Sequence, residues 1–180
     1  MDESGFSLVS PLKRTWAPRG RTPFVRTSLQ HHERLNAIGA LVISPGGRQI
    51  KLRRQIYRRS LTGKEVIMFL KHLLRSLRGP VVLVWDNAPI HRRQAVQAYL
   101  AQHPRLHVYD FPTYAPELNP VEFVWTQTDA YLAGRTPLRI GELLKTVRQA
   151  LARLRRSPAR LWACVHASDL PWQRSWVRNS

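Results

Sequence analysis

Val81-Val82-Leu83-Val84-Trp85-Asp86-Asn87-Ala88-Pro89-Ile90-His91 opens with an unbroken apolar run, Val81 to Trp85, that ends on an acid, Asp86. The run lacks alternation, which predicts a central strand with both faces covered. Asp86 then stands at the carboxyl end of a strand, where open α/β sheets place their ligand crevice. An Asp-Asn pair in that position also suits a turn that caps the next helix. Working backwards, Gly79-Pro80 stops a helix predicted over Thr62 to Leu77, with Thr62 and Glu65 spaced as a capping box. Val66, Phe69, Leu70, Leu73, Leu74 and Leu77 give that helix one apolar face. Before it, Leu35 to Ser44 and Gln49 to Tyr57 flank the turn signal Pro45-Gly46-Gly47 and read as a hairpin. Residues 4–10 read as a short strand, and residues 11–26, rich in proline and arginine, as an irregular basic connection.

Working forwards, Arg92 to Gln102 reads as a helix and Leu106 to Phe111 as a strand. A proline-rich loop from Pro112 to Asn119 leads into a helix over Pro120 to Leu132. Ile140 to Leu154 is a further helix, which residues 158–164 extend, and a polar tail runs from His166 to Ser180. The order of strand, hairpin, then alternating helices and strands predicts an α/β chain with a mixed sheet covered by helices. The 180 residues suit one domain, expected over residues 1–165, with 166–180 as a C-terminal tail.

Composition narrows the function. Lysine plus arginine number 29 against 11 aspartates and glutamates, a formal charge of +18. Of the basic residues 24 are arginine, whose fork-shaped guanidinium contacts phosphate through two N–H groups. Such a charge points to a polyanionic partner, nucleic acid foremost. Cys164 is the single cysteine, which excludes an internal disulfide and a cysteine-based zinc site. The opening residues are acidic, with no apolar signal region after them, and no apolar run is long enough to span a bilayer. The expected location is therefore intracellular.

Three carboxylates invite a chemical reading. Glu122 falls in the first turn of a helix that Asn119 can cap, with Pro120 at its first position, so Glu122 has a capping explanation of its own. The same position near a helix N-terminus favours the ionised carboxylate that a metal needs. Asp2 opens the first strand. Glu3 competes with it, because neighbouring strand residues face opposite ways and only one of them can turn to Asp86. Mg²⁺ takes hard oxygen ligands and keeps waters, so a few carboxylates and a substrate phosphate suffice to hold it. Two such ions about 3.5–4 Å apart serve in-line displacement at phosphorus.

Four segments in order carry a family resemblance: Asp2-Glu3-Ser4-Gly5-Phe6, Arg14-Thr15-Trp16-Ala17-Pro18-Arg19-Gly20, Trp85-Asp86-Asn87-Ala88-Pro89-Ile90-His91 and Tyr114-Ala115-Pro116-Glu117-Leu118-Asn119-Pro120-Val121-Glu122. Together they resemble the catalytic domain of DDE transposases of the mariner-like group in bacterial insertion sequences. The resemblance implies a ribonuclease H-like fold, a mixed five-stranded sheet flanked by helices. It implies Asp2, Asp86 and Glu122 as the catalytic, metal-binding triad, holding two Mg²⁺ ions for which Mn²⁺ can substitute. Asn87 and His91 then border the site, and His91 orients a group or contacts DNA. The implied activity is cleavage and strand transfer at transposon ends, with DNA as partner and a homodimer as the working assembly.

Family members carry an apolar strand before the first aspartate, and helix-turn-helix domains before that strand. Here the first strand is expected to be truncated, with one half of a split transposase read from an upstream frame. An inactive DNA-binding remnant is the alternative. The implied location is cytoplasmic, at the nucleoid. Arg14, Arg19 and Arg21, just after the first strand, are candidates for a phosphate clamp, as are Arg53 and Arg54 among the cations of the hairpin.

Overall fold

The computed structural model describes residues 1–8, 18–21, 33–133 and 135–172. Strands β1 (Asp2–Ser7), β2 (Arg34–Ile43) and β3 (Ile50–Tyr57) form an antiparallel sheet in that order. Helix α1 (Gly63–Ser76) leads to β4 (Val81–Trp85), α2 (Gln94–Ala101) and β5 (Leu106–Asp110), and β4 pairs with β5 in parallel. A 3-10 turn at Pro116–Leu118 precedes α3 (Pro120–Leu132), followed by α4 (Ile140–Arg155) and α5 (Pro158–Ala167).

The single five-stranded sheet expected above is thus seen as a three-stranded and a two-stranded sheet among the described residues. One hydrogen bond bridges them, from the Met1 amine to the Val84 carbonyl at 2.7 Å. The expectation that β4 is covered on both faces also needs correction. Leu83 and Trp85 are buried against α1 and α2, whereas Val82 is 67% exposed. Helices cover the Leu83 and Trp85 face of the β4–β5 pair, whereas Val82 and Tyr109 on the other face are exposed. Residues 158–164 do not continue α4. Ser157 caps a separate helix by accepting from the Arg160 amide, with Pro158 in its first turn.

Local sequence explains the helix starts. Thr62 and Glu65 form the reciprocal capping box at α1. At α3 the Asn119 side chain accepts from the Val121 amide at 3.2 Å, ahead of Pro120. Strand alternation then divides the core in two. Phe6, Leu35, Ala37 and Leu52 face α3, α4 and α5. Ile38 and Ala40 face the opposite way, towards α1 and the inner side of β4 and β5. Asp2 belongs to the first face and Glu3 to the second.

Candidate metal centre

Three elements deliver the acids to one end of the sheets. Asp2 opens β1, Asp86 directly follows β4, and Glu122 lies in the first turn of α3. Asp2 is only 4% exposed, and its Oδ2 accepts from Trp125 Nε1 at 2.7 Å. Burial, and then the charge of Glu122, raise the Asp2 pKa to about 7, against the opposing pull of the Trp125 hydrogen bond. Glu122 is also raised, by burial and then by the charge of Asp86. Mutual repulsion therefore links Asp2 to Glu122 and Glu122 to Asp86. Metal-free carboxylates gathered for a cation behave in this way.

Asp86 is shifted in the other direction. A hydrogen bond from His91 holds it below the ordinary carboxylate range, despite partial burial. His91 Nδ1 donates to the Asp86 carbonyl at 2.8 Å and lies 3.1 Å from Asp86 Oδ1. Its Nε2 donates to Glu3 Oε1 at 3.0 Å. Both ring nitrogens face acceptors, so the imidazolium is the form that satisfies them. Burial works against that charge, but the hydrogen bonds to Asp86 and Glu3 outweigh it and raise the His91 pKa to about 10. The ring also stacks on Trp85, with centroids 4.0 Å apart and planes 4° from parallel. His91 therefore pins the loop after β4 in place.

Glu3, Asp86 and His91 also present ligand atoms within 4.8 Å of one another. A protonated histidine between two carboxylates already neutralises that side of Asp86. The face towards Asp2 and Glu122 offers hard oxygens only, the donor set that suits Mg²⁺ or Mn²⁺. The three carboxylates fit a divalent cation in chemistry, and the raised pKa values of Asp2 and Glu122 are the electrostatic cost that a cation would relieve.

The other expected residues are more scattered. Asn87 is exposed beside Asp86. Arg19 and Arg21 are exposed on a turn in which the Arg21 amide donates to the Pro18 carbonyl and Gly20 takes a φ of 81°. Arg14 lies outside the described residues. Arg53 and Arg54 are half-buried neighbours on β3 and so face opposite sides of the sheet.

Sequence reading gave no role to Trp125 or to the pairing of Glu3 with His91. The signal for Trp125 was its position three residues after Glu122, which places both on one side of α3. Gly39 completes that arrangement. It pairs with Asp2 across β1 and β2, and a Cβ there would stand 2.7 Å from the Trp125 ring.

Asp2 at the start of one strand, Asp86 just after another and Glu122 on a packed helix offer hard oxygen donors of the kind a divalent ion takes. Residues 1–144 match the family described as DDE superfamily endonuclease, and the chain belongs to that family. Among solved structures it is similar to a Mos1 transposase paired-end complex with the left transposon end (TM-score 0.69, 18% identity), covering 97% of this chain and 52% of that one. It is likewise similar to the Mos1 Strand Transfer Complex (TM-score 0.68, 19% identity), covering 97% of this chain and 51% of that one. At such identities the likeness is one of fold. The chain spans about half the length of these structures. No curated protein matches it. No helix among the described residues is long and apolar enough to cross a membrane.

Proposed function

We propose that this chain is the catalytic domain of a DDE transposase, acting on DNA through Asp2, Asp86 and Glu122 as ligands of two divalent ions. The observation that carries the reading is the chain of repulsion from Asp2 through Glu122 to Asp86, across three separate elements. Family membership supplies the endonuclease class. The hydrogen bond from Met1 to Val84 supports a continuous ribonuclease H-like sheet in the order β3-β2-β1-β4-β5. The catalytic domain is proposed over residues 1–165, although α5 runs on to Ala167. DNA ends and target, a second copy of the chain and an upstream helix-turn-helix half are the proposed partners, in the cytoplasm at the nucleoid.

The residues divide the work. When bound, paired divalent ions supply Lewis-acid stabilisation of charge developing on phosphodiester oxygens and a lowered pKa for water. Asp86 stays ionised because His91 donates to it. Trp125 fixes one oxygen of Asp2 and thereby aims the other. Glu122 comes from a capped helix start, so its backbone is preorganised. His91, engaged at both nitrogens, is a positioning residue rather than a general base.

The test is nicking of supercoiled plasmid by purified protein with Mg²⁺ or Mn²⁺. Asp86→Asn and Glu122→Gln should each abolish nicking while the protein still binds DNA. Cleavage that persists in both variants would falsify the triad. Asp2→Asn should silence the protein and Glu3→Gln should not. The reverse result would place Glu3 in the third ligand position.

A further inference from the structure

A groove of about 640 Å³ lies between β3 and α4, lined by Arg54 and Arg58 from the strand side and by Lys145 and Arg148 from the helix. A second cavity of about 300 Å³ shares Arg54 and Arg148 with it and continues past Tyr57 to Met68 of α1. The two form one track over the free edge of the antiparallel sheet. Gly141, Lys145, Arg148 and Ala152 recur at spacings of three and four, so one side of α4 lines the floor. The small residues leave room: a Cβ on Gly141 would meet nothing within 4 Å.

The charge of this groove is uncompensated. No acid lines it among the described residues. Glu142, next to Gly141, is turned to the start of α4, where it accepts from the Leu138 amide at 2.9 Å. The Nε atom of Arg54 is buried without a hydrogen-bond partner among the described residues. Burial, then Arg155 and Arg148, press on Arg54 and lower its pKa. Cations held this close, with donors unused, are arranged for an anion that arrives from outside.

We propose that the β3–α4 groove binds the phosphodiester backbone of a DNA duplex, as a surface separate from the carboxylate centre. Charge complementarity favours this occupant: an elongated, arginine-lined track matches a repeating line of phosphates. Placement fits as well. Asp2, Gly39 and Arg54 form one cross-strand row, so Arg54 lies roughly 10 Å from Asp2 at ordinary strand spacing, with Trp125 between them over Gly39. The groove therefore anchors DNA beside the acids without drawing its cations into the metal site. The inference rests on the proposed function only for DNA as the partner.

Lys145 and Arg148 are exposed, so Lys145→Gln/Arg148→Gln removes two charges at little risk to folding, which circular dichroism would check. Binding of a short fluorescent duplex is measured by anisotropy in EDTA, across salt from about 50 to 200 mM. The slope of log K against log salt should fall by about 2, at roughly 0.9 per lost phosphate contact. Lys71→Gln/Arg78→Gln removes equal charge from the α1 region, with Lys71 lying over the Tyr99 ring of α2, and should leave the slope near the wild-type value. Equal slopes in both double variants, or no binding by the wild type, overturn the groove. So does a groove variant that changes self-association and leaves DNA affinity intact, since the occupant would then be a second copy. Loss of nicking by the wild type in Mg²⁺, with the groove-dependent slope intact, sinks the catalytic reading alone.

Discussion

The indole N–H of Trp125 reaches across from α3 to a carboxylate oxygen of Asp2 at 2.7 Å, so the helix that carries Glu122 also holds the acid that opens β1. This bond is the structural tie between two of the three proposed ligands. It also opposes the upward shift of Asp2, giving a buried carboxylate one good donor. Trp125→Phe keeps the ring and removes the donor. Leaving Asp2 short of a partner should cost about 1–3 kcal/mol, read by urea denaturation. Metal-dependent nicking should fall more than duplex affinity, because the ligand is misaimed while the phosphate contacts remain. An unchanged denaturation midpoint together with full nicking would show that the bond positions nothing.

Metal binding should depend on pH through the same carboxylate. Asp2 has a folded pKa of about 7 against an ordinary value of 3.8. A raised carboxyl pKa means that the folded state holds the proton more tightly than the unfolded one. The stabilising effect of that proton is present below about 3.8 and is lost as pH rises towards 7. A divalent cation must displace the proton below 7 and meets an ionised carboxylate above it. The rise in melting temperature on adding Mg²⁺ or Mn²⁺ should therefore be larger at pH about 8 than at about 6. Asp2→Asn should remove most of that pH dependence. A larger metal effect at the lower pH would contradict the placement of the ion beside Asp2.

Some of this arrangement was legible in the chain and some was not. The start of α3 could be read in full because its determinants are adjacent: Asn119 caps, Pro120 follows, and Glu122 falls in the first turn. The capping box of Thr62 and Glu65 was local in the same way. Strand alternation showed that Asp2 and Glu3 face opposite ways, but not which faces which partner. That choice depends on α3 packing against one side of the sheet and the loop of His91 against the other, both distant in sequence. The basic groove was hidden for a similar reason. Arg53 and Arg54 could be marked as cations on a hairpin, but the alliance of Arg54 with Arg148 is set by how α4 crosses β3. The exposure of Val82 was missed because an apolar strand reads the same whether one or both of its faces are covered.

Loss of the His91 charge should weaken the fold on the alkaline side. Its pKa is raised to about 10 from an ordinary 6.5, since hydrogen bonds to Asp86 and Glu3 outweigh burial. The charge on the ring contributes stability that is fully present below about 6.5 and is lost as pH rises through about 10. His91→Phe keeps an aromatic ring against Trp85 and removes the charge. At neutral pH it should cost about 1–3 kcal/mol, held to that range because the Asp86 side chain is 48% exposed. The variant should lose less stability than the wild type between pH about 7 and 10 in a series of chemical denaturations. Parallel curves for the two proteins would mean that the imidazolium is not what binds Asp86 to Glu3.

Gly39 tests whether the acids and the core are coupled. The closest atoms to a Cβ at this position would be two carbons of the Trp125 ring, at 2.7 and 2.9 Å. The ring cannot yield freely, because its nitrogen is bonded to Asp2 and its centroid lies 6.0 Å from that of Phe6 in an edge-to-face contact. Gly39→Ala should therefore destabilise the protein by about 1–3 kcal/mol through overpacking, although Ala is ordinarily the better strand residue. The displaced indole should also loosen Asp2, so nicking falls with stability. Trp125→Phe supplies the control, since the smaller ring makes room for the new methyl group. In the Gly39→Ala/Trp125→Phe double variant the losses should be less than additive by more than about 0.5 kcal/mol, the size expected of residues in contact. Strict additivity would place Gly39 and Trp125 too far apart to interact, and the path from sheet to acid through the indole would have to be abandoned.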